Sequence, residues 1–288
     1  MDSITVGGRP DAAASRSTTI LVPTLNEEAS VADVLRSIPA AYAASVLVVD
    51  GGSTDGTTDI VRRLGFRVIA QERSGLGNAI LTGVKHSSGD FIVTLDADGA
   101  HTGAHLTKML QKLDDGYDVA VASRYSNAPE SIGMFSPRRR STEPGSLIRG
   151  FGNRLYTWLC RVLFHVPLWD VLNGCKAFRR CVFETIQIER SGHEYDLEIV
   201  IKAQNAGFRL GDVPIDQGAR SAGVSKLSVI HHGAMMLLVI VTELVRGRGR
   251  SRTSLDAGAR DHAESPDRAL RPMSPIVVPD GDHHYDSH

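Results

Sequence analysis

The chain has 288 residues, and its 32 basic and 33 acidic side chains leave it almost uncharged. An apolar share of 42% is ordinary for a globular protein and allows a sizeable core, in one large domain or two small ones. This charge balance excludes the strongly basic surface of a nucleic-acid-binding protein.

Short apolar runs alternate with helical patterns along most of the chain. Strands are expected at 18–22, 45–49, 66–70, 91–95, 118–122, 175–178 and 209–213. Helices are expected from Glu27, with Asn26 as its cap, and at 57–64, 75–86, 102–113, 149–165, 193–206 and 225–246. This alternation predicts an α/β fold with a mostly parallel sheet and helices on both faces.

The two ends of the chain differ in composition from its centre. Residues 1–17 are small and polar and are expected to form a disordered lead, and 247–288 read as a disordered tail. The folded domain is therefore expected at 18–246. Within it, 126–148 is a Pro/Ser/Arg-rich stretch without periodicity, and loops of that length are usually functional or disordered.

Nothing in the sequence predicts export or a membrane span. The N-terminus lacks the apolar stretch of a signal peptide. The longest apolar run, 234–241, is far shorter than the roughly 20 residues that a spanning helix needs. Three cysteines without metal-ligand spacing are expected to be reduced thiols. We expect a cytoplasmic protein, which can still lie on a membrane surface.

Polar residues cluster where the expected strands end, at 23–28, 50–55, 96–101 and 123–125. In doubly wound sheets, ligands bind outside the carboxyl ends of the strands. The sequence therefore predicts a ligand site at this edge of the sheet.

The sharpest of these features is Asp96-Ala97-Asp98, directly after a buried strand. Two carboxylates with a small spacer suit Mg²⁺ or Mn²⁺, and a diphosphate can complete the coordination shell. A solvated acidic turn is the competing interpretation. Placement at a strand end beside the other polar clusters favours the metal site.

Three further segments fit a nucleotide site, and each also has a structural explanation. In 50–57, Asp50 is expected to contact the ligand while the later residues cap a helix. The acids of 23–28 suit the first turn of a helix as well as a ligand. The glycine pair of 75–79 can offer backbone N–H groups to a phosphate, although it is not a full dinucleotide fingerprint.

Several basic side chains fall on the expected ligand side, and arginine suits bidentate recognition of phosphate. For any one of them a solvated surface position is the alternative. The run 138–140 also suits anionic lipid headgroups. The candidates outside that run are Arg124, Arg149, Arg154, Arg220 and Lys226.

In order and spacing these segments resemble the inverting, family-two glycosyltransferases of the GT-A (Rossmann-like) fold, and most of all the dolichyl- and polyprenyl-phosphate mannose synthases. The likeness covers about 18 to 230. The matching segments are VPTLNEE (22–28), VVDGGSTDGT (48–57), 75–101 with its DAD, SRY (123–125), DVLNGCKAFRR (170–180), 194–215, and Arg220 with GVSKL (223–227).

The resemblance implies a role for particular residues. The base and ribose would be held by Pro23, Leu25, Glu27 and Asp50, with Gly77 and Asn78 lining the nucleotide pocket. Asp96 and Asp98 would meet the metal and diphosphate. The phosphates of donor or acceptor would be faced by Arg124, Arg149, Arg220 and Lys226.

The chain departs from the family pattern at several positions. Family members often carry polar side chains at the positions of Gly52 and Ala100. At the position of Ala100, water or His101 would have to replace the missing polar side chain. Asn173 and Cys175 also differ, near the expected acceptor site.

The expected reaction is an in-line displacement with inversion at the anomeric carbon. Asp98, through the metal, and Arg124 would stabilise the charge of the departing diphosphate. A phosphate acceptor needs no strong base, whereas a hydroxyl acceptor does. Asp196 is kept as a candidate acceptor-site carboxylate. Glu198 is expected to pair with Lys202, four residues on.

The expected C-terminal amphipathic helix, 225–246, is apolar nearly all round at its centre and carries basic residues at its ends. Such a helix is either buried or bound to a membrane surface. We favour membrane contact, with packing on the sheet or a dimer seam as the alternative.

Mannose from GDP-mannose and a polyprenyl phosphate are the favoured donor and acceptor. A UDP-sugar, or a soluble acceptor such as phosphoglycerate or a natural product, is the first alternative. A nucleotidyltransferase and a non-catalytic nucleotide-binding module are the others. Oligomeric state is left open.

Overall fold

The computed structural model describes residues 17–99, 103–124, 146–215 and 229–253. The expected lead and tail lie outside these ranges, as does most of the long loop at 126–148. The strands are β1 (Thr18–Thr24), β2 (Val46–Asp50), β3 (Arg67–Ala70), β4 (Phe91–Thr94), β5 (Val119–Ser123), β6 (Lys176–Arg179) and β7 (Leu210–Pro214).

Eight α-helices and one 3₁₀ helix are found in these ranges. They are α1 (Val31–Ser37), the 3₁₀ helix (Ala40–Ser45), α2 (Thr57–Arg63), α3 (Leu76–Lys85), α4 (Ala104–Asp114), α5 (Ser146–Phe164), α6 (Arg180–Thr185), α7 (Tyr195–Asn205) and α8 (Val229–Thr253). The sequence pattern did not predict the 3₁₀ helix or α6, because both are too short to show a period. α8 runs seven residues past the expected domain end.

The seven strands form one sheet in the order β3-β2-β1-β4-β6-β5-β7. All neighbouring pairs are parallel except those of β6, which runs antiparallel to β4 and β5. The expected mostly parallel sheet is confirmed. The strands are almost continuously apolar because both faces are covered.

Each face of the sheet has its own core. One core joins alternate strand residues to α1, α2 and α4, and the other joins the intervening residues to α3, α5, α7 and α8. The expected layers of helices on both faces are therefore present. Because β6 is reversed, its first residues lie at the same edge as the last residues of β1 and β4.

The first helix does not begin at Glu27, and Asn26 does not cap it. Asn26 adopts a left-handed conformation, with φ of 57°, and its side-chain oxygen accepts the Thr54 N–H at 2.8 Å. The Glu28 carboxylate accepts the Gly56 N–H at 2.7 Å. These bonds to the neighbouring loop hold residues 26–28 out of helix, so α1 starts four residues later.

Candidate active site

The polar clusters of the sequence meet at one edge of the sheet. Asp50 ends β2 and is the register partner of Thr24, the last residue of β1. Asp96 follows β4, on the other side of β1. Arg124 follows β5, and residues 173–175 lead into β6 between them. The structure therefore brings the carboxylates of two predicted segments to either side of β1.

Asp50 organises the loop that follows it. Its side chain accepts hydrogen bonds from the N–H groups of Gly52 and Ser53 at 3.0 and 2.8 Å, from Ser53 Oγ at 2.6 Å and from Thr24 Oγ1 at 2.9 Å. Gly52 has φ of 91°, a conformation that glycine adopts without strain. The carboxylate is fixed before any ligand arrives.

The N-cap residue of α2 is Gly56, which has no side chain, but Asp55 Oδ1 accepts the N–H of Thr57, the first residue of α2, at 3.0 Å. Ser53 and Thr57 also bind the loop after β1: Ser53 Oγ accepts the Asn26 N–H, and Thr57 Oγ1 accepts the Glu27 N–H, both at 2.9 Å. The two loops form one cross-linked wall. Leu25 stands on it with half of its surface exposed.

Asp96 and Asp98 are both half-buried, while Ala97 between them is packed into the core. Gly99 follows with φ of 79°, a left-handed conformation that glycine adopts without strain. In the described ranges, no three His, Cys, Asp or Glu side chains come close enough together to hold a metal ion by themselves. Two carboxylates suit a cation whose other ligands come from a bound diphosphate.

Arg124 is held by Asp170, which the sequence reading had not singled out. The guanidinium donates to Asp170 through Nε at 2.7 Å and Nη2 at 2.8 Å, and Asn153 Nδ2 donates to the same carboxylate at 2.9 Å. Asp170 is fully buried. The predicted role of Arg124 toward a phosphate must therefore coexist with this fixed ion pair.

Asp196 is buried on α7 and forms an ion pair with Lys176 of β6, whose side chain is completely buried. The Lys176 ammonium also donates to the Asn173 carbonyl. This partner favours a structural role for Asp196 over the predicted contact with an acceptor. The pattern gave no signal for the pair, because Lys176 lies 20 residues away in an apolar strand.

Glu198 pairs with Lys202 at 2.7 Å, as the four-residue spacing predicted. It also accepts the N–H groups of Glu189 and Arg190. Glu194, on the same helix, accepts the Gly192 N–H at 3.2 Å. These two glutamates secure the segment before α7.

The glycine pair at the start of α3, Gly75 as its N-cap and Gly77 in its first turn, packs against another segment of the protein. The Gly77 N–H donates to the Ser191 carbonyl at 2.7 Å, so it is not available to a phosphate. A Cβ on Gly75 or Gly77 would collide with the backbone at 190–191. Asn78 Nδ2 donates to the Ser74 carbonyl at 2.7 Å. Close packing, rather than a ligand, accounts for these glycines.

Other predicted site residues fall outside the described ranges, namely Ala100, His101, Arg220 and Lys226; Arg149 has a described backbone in α5 but no described side chain. Asn173 and Cys175 lie buried beside Asp96, not on an open acceptor surface. The three cysteines lie within the described residues, and none of them is in a disulfide. Burial raises the pKa of Cys160 and Cys175 to about 12, which makes both unreactive.

Comparison with known proteins finds a match over the part of the chain that contains most of these segments. The model of the family described as "Glycosyl transferase family 2" matches residues 19–187, more than half of the chain. The chain belongs to glycosyl transferase family 2. It is therefore a glycosyltransferase, and the family expected from its motifs is confirmed.

Two family-two relatives have names that specify a lipid-linked product or acceptor. The dolichyl-phosphate hexose transferase of Haloferax volcanii is 31% identical over 80% of this chain and 95% of the relative. The polyprenol monophosphomannose synthase of Mycolicibacterium smegmatis is 32% identical over 73% of this chain and 81% of the relative.

Among solved structures, the fold is shared with glucosyl-3-phosphoglycerate synthase of Mycobacterium tuberculosis, in complex with Mn²⁺, UDP and its product. The TM-score is 0.63 and the identity 20%, over 82% of this chain and 81% of that one. This likeness confirms the GT-A fold.

Proposed function

We propose that this family-two glycosyltransferase transfers a hexose, with inversion, from a nucleotide-sugar to a polyprenyl phosphate, with mannose from GDP-mannose as the favoured donor. The observation that carries the proposal is that Asp50 ends β2 and Asp96-Ala97-Asp98 follows β4, the two strands on either side of β1. The names of the two relatives support the lipid phosphate as acceptor.

The nucleoside of the donor would bind at the wall formed by the loops after β1 and β2. Asp50 would contact the base, and Pro23, Leu25 and Glu27 would contact base and ribose. Four hydrogen bonds from its own loop and Thr24 already occupy the acceptor positions of the Asp50 carboxylate, so an N–H of the base would replace one of them. The geometry of the site is set by the loop and not by the ligand.

Asp96 and Asp98 offer oxygen ligands at the sheet edge, and such ligands suit a hard divalent cation. Two carboxylates are too few to hold the cation by themselves, so the diphosphate would supply further ligands. When bound, Mg²⁺ or Mn²⁺ would neutralise charge on the diphosphate. The affinities for metal and nucleotide should therefore depend on each other.

In the reaction, an oxygen of the acceptor phosphate would form a bond to the anomeric carbon while the bond from that carbon to the diphosphate oxygen breaks. The nucleoside diphosphate leaves with the electron pair, and the configuration inverts. No base is required, because a phosphate monoester is already an anion. This agrees with an Asp196 that is buried and paired with Lys176.

Membrane contact is part of the proposal, at the cytoplasmic face. None of the helices in the described part of the chain is long and apolar enough to span a bilayer. However, α5 and α8 pack together and leave large apolar side chains exposed by 39–67%. We call this the α5/α8 surface: Phe151, Leu155, Trp158, Val162, Leu237, Leu238, Val241 and Val245.

The test of transfer is the Asp96→Ala/Asp98→Ala variant, with product identified by mass. Loss of at least about 100-fold in rate is expected, as for removal of transition-state charge stabilisation elsewhere. The matched control is Asp114→Ala/Asp115→Ala, a pair of acids at the end of α4. A folded Asp96/Asp98 variant that transferred sugar at the wild-type rate would refute the site.

Donor and acceptor are tested by a grid of GDP-mannose and UDP-glucose against polyprenyl phosphate and 3-phosphoglycerate. The proposal expects turnover with GDP-mannose and the lipid. Turnover only with 3-phosphoglycerate would show that the acceptor is a soluble phosphate and not the lipid. Turnover only with UDP-glucose would show that the donor is a UDP-sugar and not GDP-mannose. Release of pyrophosphate would indicate nucleotidyl transfer, which family membership already disfavours.

A further inference from the structure

The Asp96 carboxylate rests against a glycine of another segment. A Cβ built on Gly174 would lie within 2.6 Å of Asp96 Oδ1, and it would also collide with Oδ2 and Cγ. Such a distance is shorter than real Cβ contacts ever are. The carboxylate therefore occupies space that only the absence of a side chain at 174 leaves open.

Gly174 is held in place by the end of β4, the strand that carries Asp96. Thr94 Oγ1 donates to the Gly174 carbonyl at 2.7 Å, and it accepts the Lys176 N–H at 3.2 Å. One hydroxyl thus fixes the segment two residues before Asp96 to the segment that packs on Asp96. The spacing between glycine and carboxylate is set locally.

The rest of the segment is anchored on two further elements. Asp170 binds Arg124 after β5, and Asn173 offers its carbonyl to the buried Lys176 ammonium, which pairs with Asp196 of α7. Asp170 and Lys176 are both fully buried. Gly174 is therefore not able to retreat from Asp96 without disturbing three elements.

We propose that Gly174 is a positioning residue, which sets the side-chain conformation of Asp96 and so the affinity of the site for a divalent cation. The inference rests on the proposed function, in which Asp96 binds that cation. Both Asp96 oxygens lie nearer to the position of a Cβ on Gly174 than Asp96 Cγ does, so the carboxylate points into the space that the glycine leaves open, and a side chain at 174 would displace it. Residues that orient metal ligands change metal affinity when they are replaced.

The test is Gly174→Ala, which adds one methyl group. The backbone at Gly174 is not left-handed, so alanine changes the space and not the allowed conformation. The Kd of GDP, and separately of UDP, is measured by calorimetry with Mn²⁺ and with EDTA. Gly174→Ala is expected to reduce the gain in affinity from Mn²⁺ by about tenfold, the scale seen for outer-shell partners of metal ligands. Binding in EDTA should be unchanged.

The matched control is Gly83→Ala on α3, where the new Cβ would lie 2.8 Å from Leu21 Cδ2 in the core and far from any predicted ligand. It should lower the melting temperature and leave the Mn²⁺ gain at the wild-type value. If Gly174→Ala does not fold, Thr94→Val serves instead, because it removes the hydroxyl link without adding volume. A reduced Mn²⁺ gain is expected there too.

A folded Gly174→Ala with the full Mn²⁺ gain overturns the inference alone. Equal losses with Mn²⁺ and with EDTA also overturn it, because they indicate general damage to the nucleotide site. If the wild-type protein shows no Mn²⁺ gain with either nucleotide, the proposed metal site fails, and this inference fails with it.

Discussion

Two neighbouring aspartates show how local partners decide the charge of a buried carboxyl. Burial alone would raise the pKa of Asp170, but the guanidinium of Arg124 and the hydrogen bond from Asn153 outweigh it, so the pKa is lowered. Asp212 on β7 accepts the Trp169 N–H at 3.0 Å but forms no such ion pair with any residue that the structure describes, and burial raises its pKa to about 7. One is held as an anion and the other titrates near neutrality.

Replacing Asp212 by Asn should change how stability depends on pH. Between about pH 4 and pH 7 the unfolded chain has ionised this carboxyl while the folded protein keeps its proton, so wild-type stability falls as pH rises. The variant lacks this loss. Its free energy of unfolding should gain on the wild type by roughly 1 kcal/mol per pH unit in that window and stay level above it.

Urea unfolding at several pH values measures this difference. A constant offset across the window would show that Asp212 ionises in the folded protein as it does in the unfolded chain. An offset that shrank as pH rises would mean that the folded protein stabilises the anion.

At the scale of elements, the buried pair of Lys176 and Asp196 joins β6 to α7 across the core. Its two charges are almost fully removed from water, so each depends on the other for compensation. The pair fixes β6, the one antiparallel strand, and the segment of 170–175 that precedes it. It thereby links helix packing to the edge where the candidate site lies.

Lys176→Met should destabilise the protein by about 3–5 kcal/mol, because Asp196 is left as a buried, unpaired charge. The double variant Lys176→Met/Asp196→Leu should recover most of this loss, since it removes both charges. Denaturant unfolding measures both. Lys85→Met, which breaks an exposed ion pair with Glu72, is the control and should cost at most about 1 kcal/mol.

The control fixes the scale of the experiment. If Lys176→Met cost no more than Lys85→Met, water or another group would have to reach Asp196 in the fold. The structural role given to this aspartate would then be withdrawn.

At the scale of the whole molecule, α8 is both packed and exposed. Met236, Val239 and Ile240 are buried, and Tyr156 of α5 donates to the Gly233 carbonyl at 2.7 Å. Leu237 follows Gly233 by one helical turn, so the exposed stripe of α8 starts beside this contact. Packing against the fold and the proposed membrane contact are therefore compatible, because they would use opposite sides of one helix.

The α5 stripe completes this surface. Four of the five exposed large apolar residues of α5 recur at spacings of four, three and four, which places them on one side of the helix; the fifth is Leu163. α5 has three arginines and no acid, and the acid of α8, Glu243, is buried. An apolar surface with basic neighbours suits an anionic lipid surface.

Binding to lipid vesicles tests this surface. The two tryptophans of the chain report binding by their fluorescence, since Trp158 lies in the α5/α8 surface and Trp169 is 43% exposed. Phosphatidylglycerol vesicles should shift their fluorescence to shorter wavelength, and Val241→Glu should reduce binding about tenfold or more, as a charge near hydrocarbon is costly. Gln111→Glu on α4, across the sheet, adds the same charge and should bind as the wild type does.

Unchanged vesicle binding by Val241→Glu would exclude this surface as the site of membrane contact. A change in oligomeric state caused by the same variant would instead identify the surface as a seam between copies of the chain.

The sequence by itself determined the order of the seven strands and of seven of the eight α-helices, and the family. Apolar runs and their spacing depend on local periodicity, and the family was predicted from segments such as Asp50–Thr57 and Asp96–Asp98 in their order along the chain. It also predicted the Glu198–Lys202 pair, because one helical turn separates them. What depends on near neighbours in the chain could be predicted.

Only the tertiary structure decided what each charged residue contacts. Arg124 with Asp170, Lys176 with Asp196, and Gly174 against Asp96 join residues 20 to 78 positions apart. The sequence pattern predicted that Gly77 belongs to a phosphate-binding loop and that Asn26 caps a helix. In the fold, the Gly77 N–H and the Asn26 side chain form hydrogen bonds to other segments instead. Such partners are chosen by the sheet order, above all by the reversed β6, which no local pattern encodes.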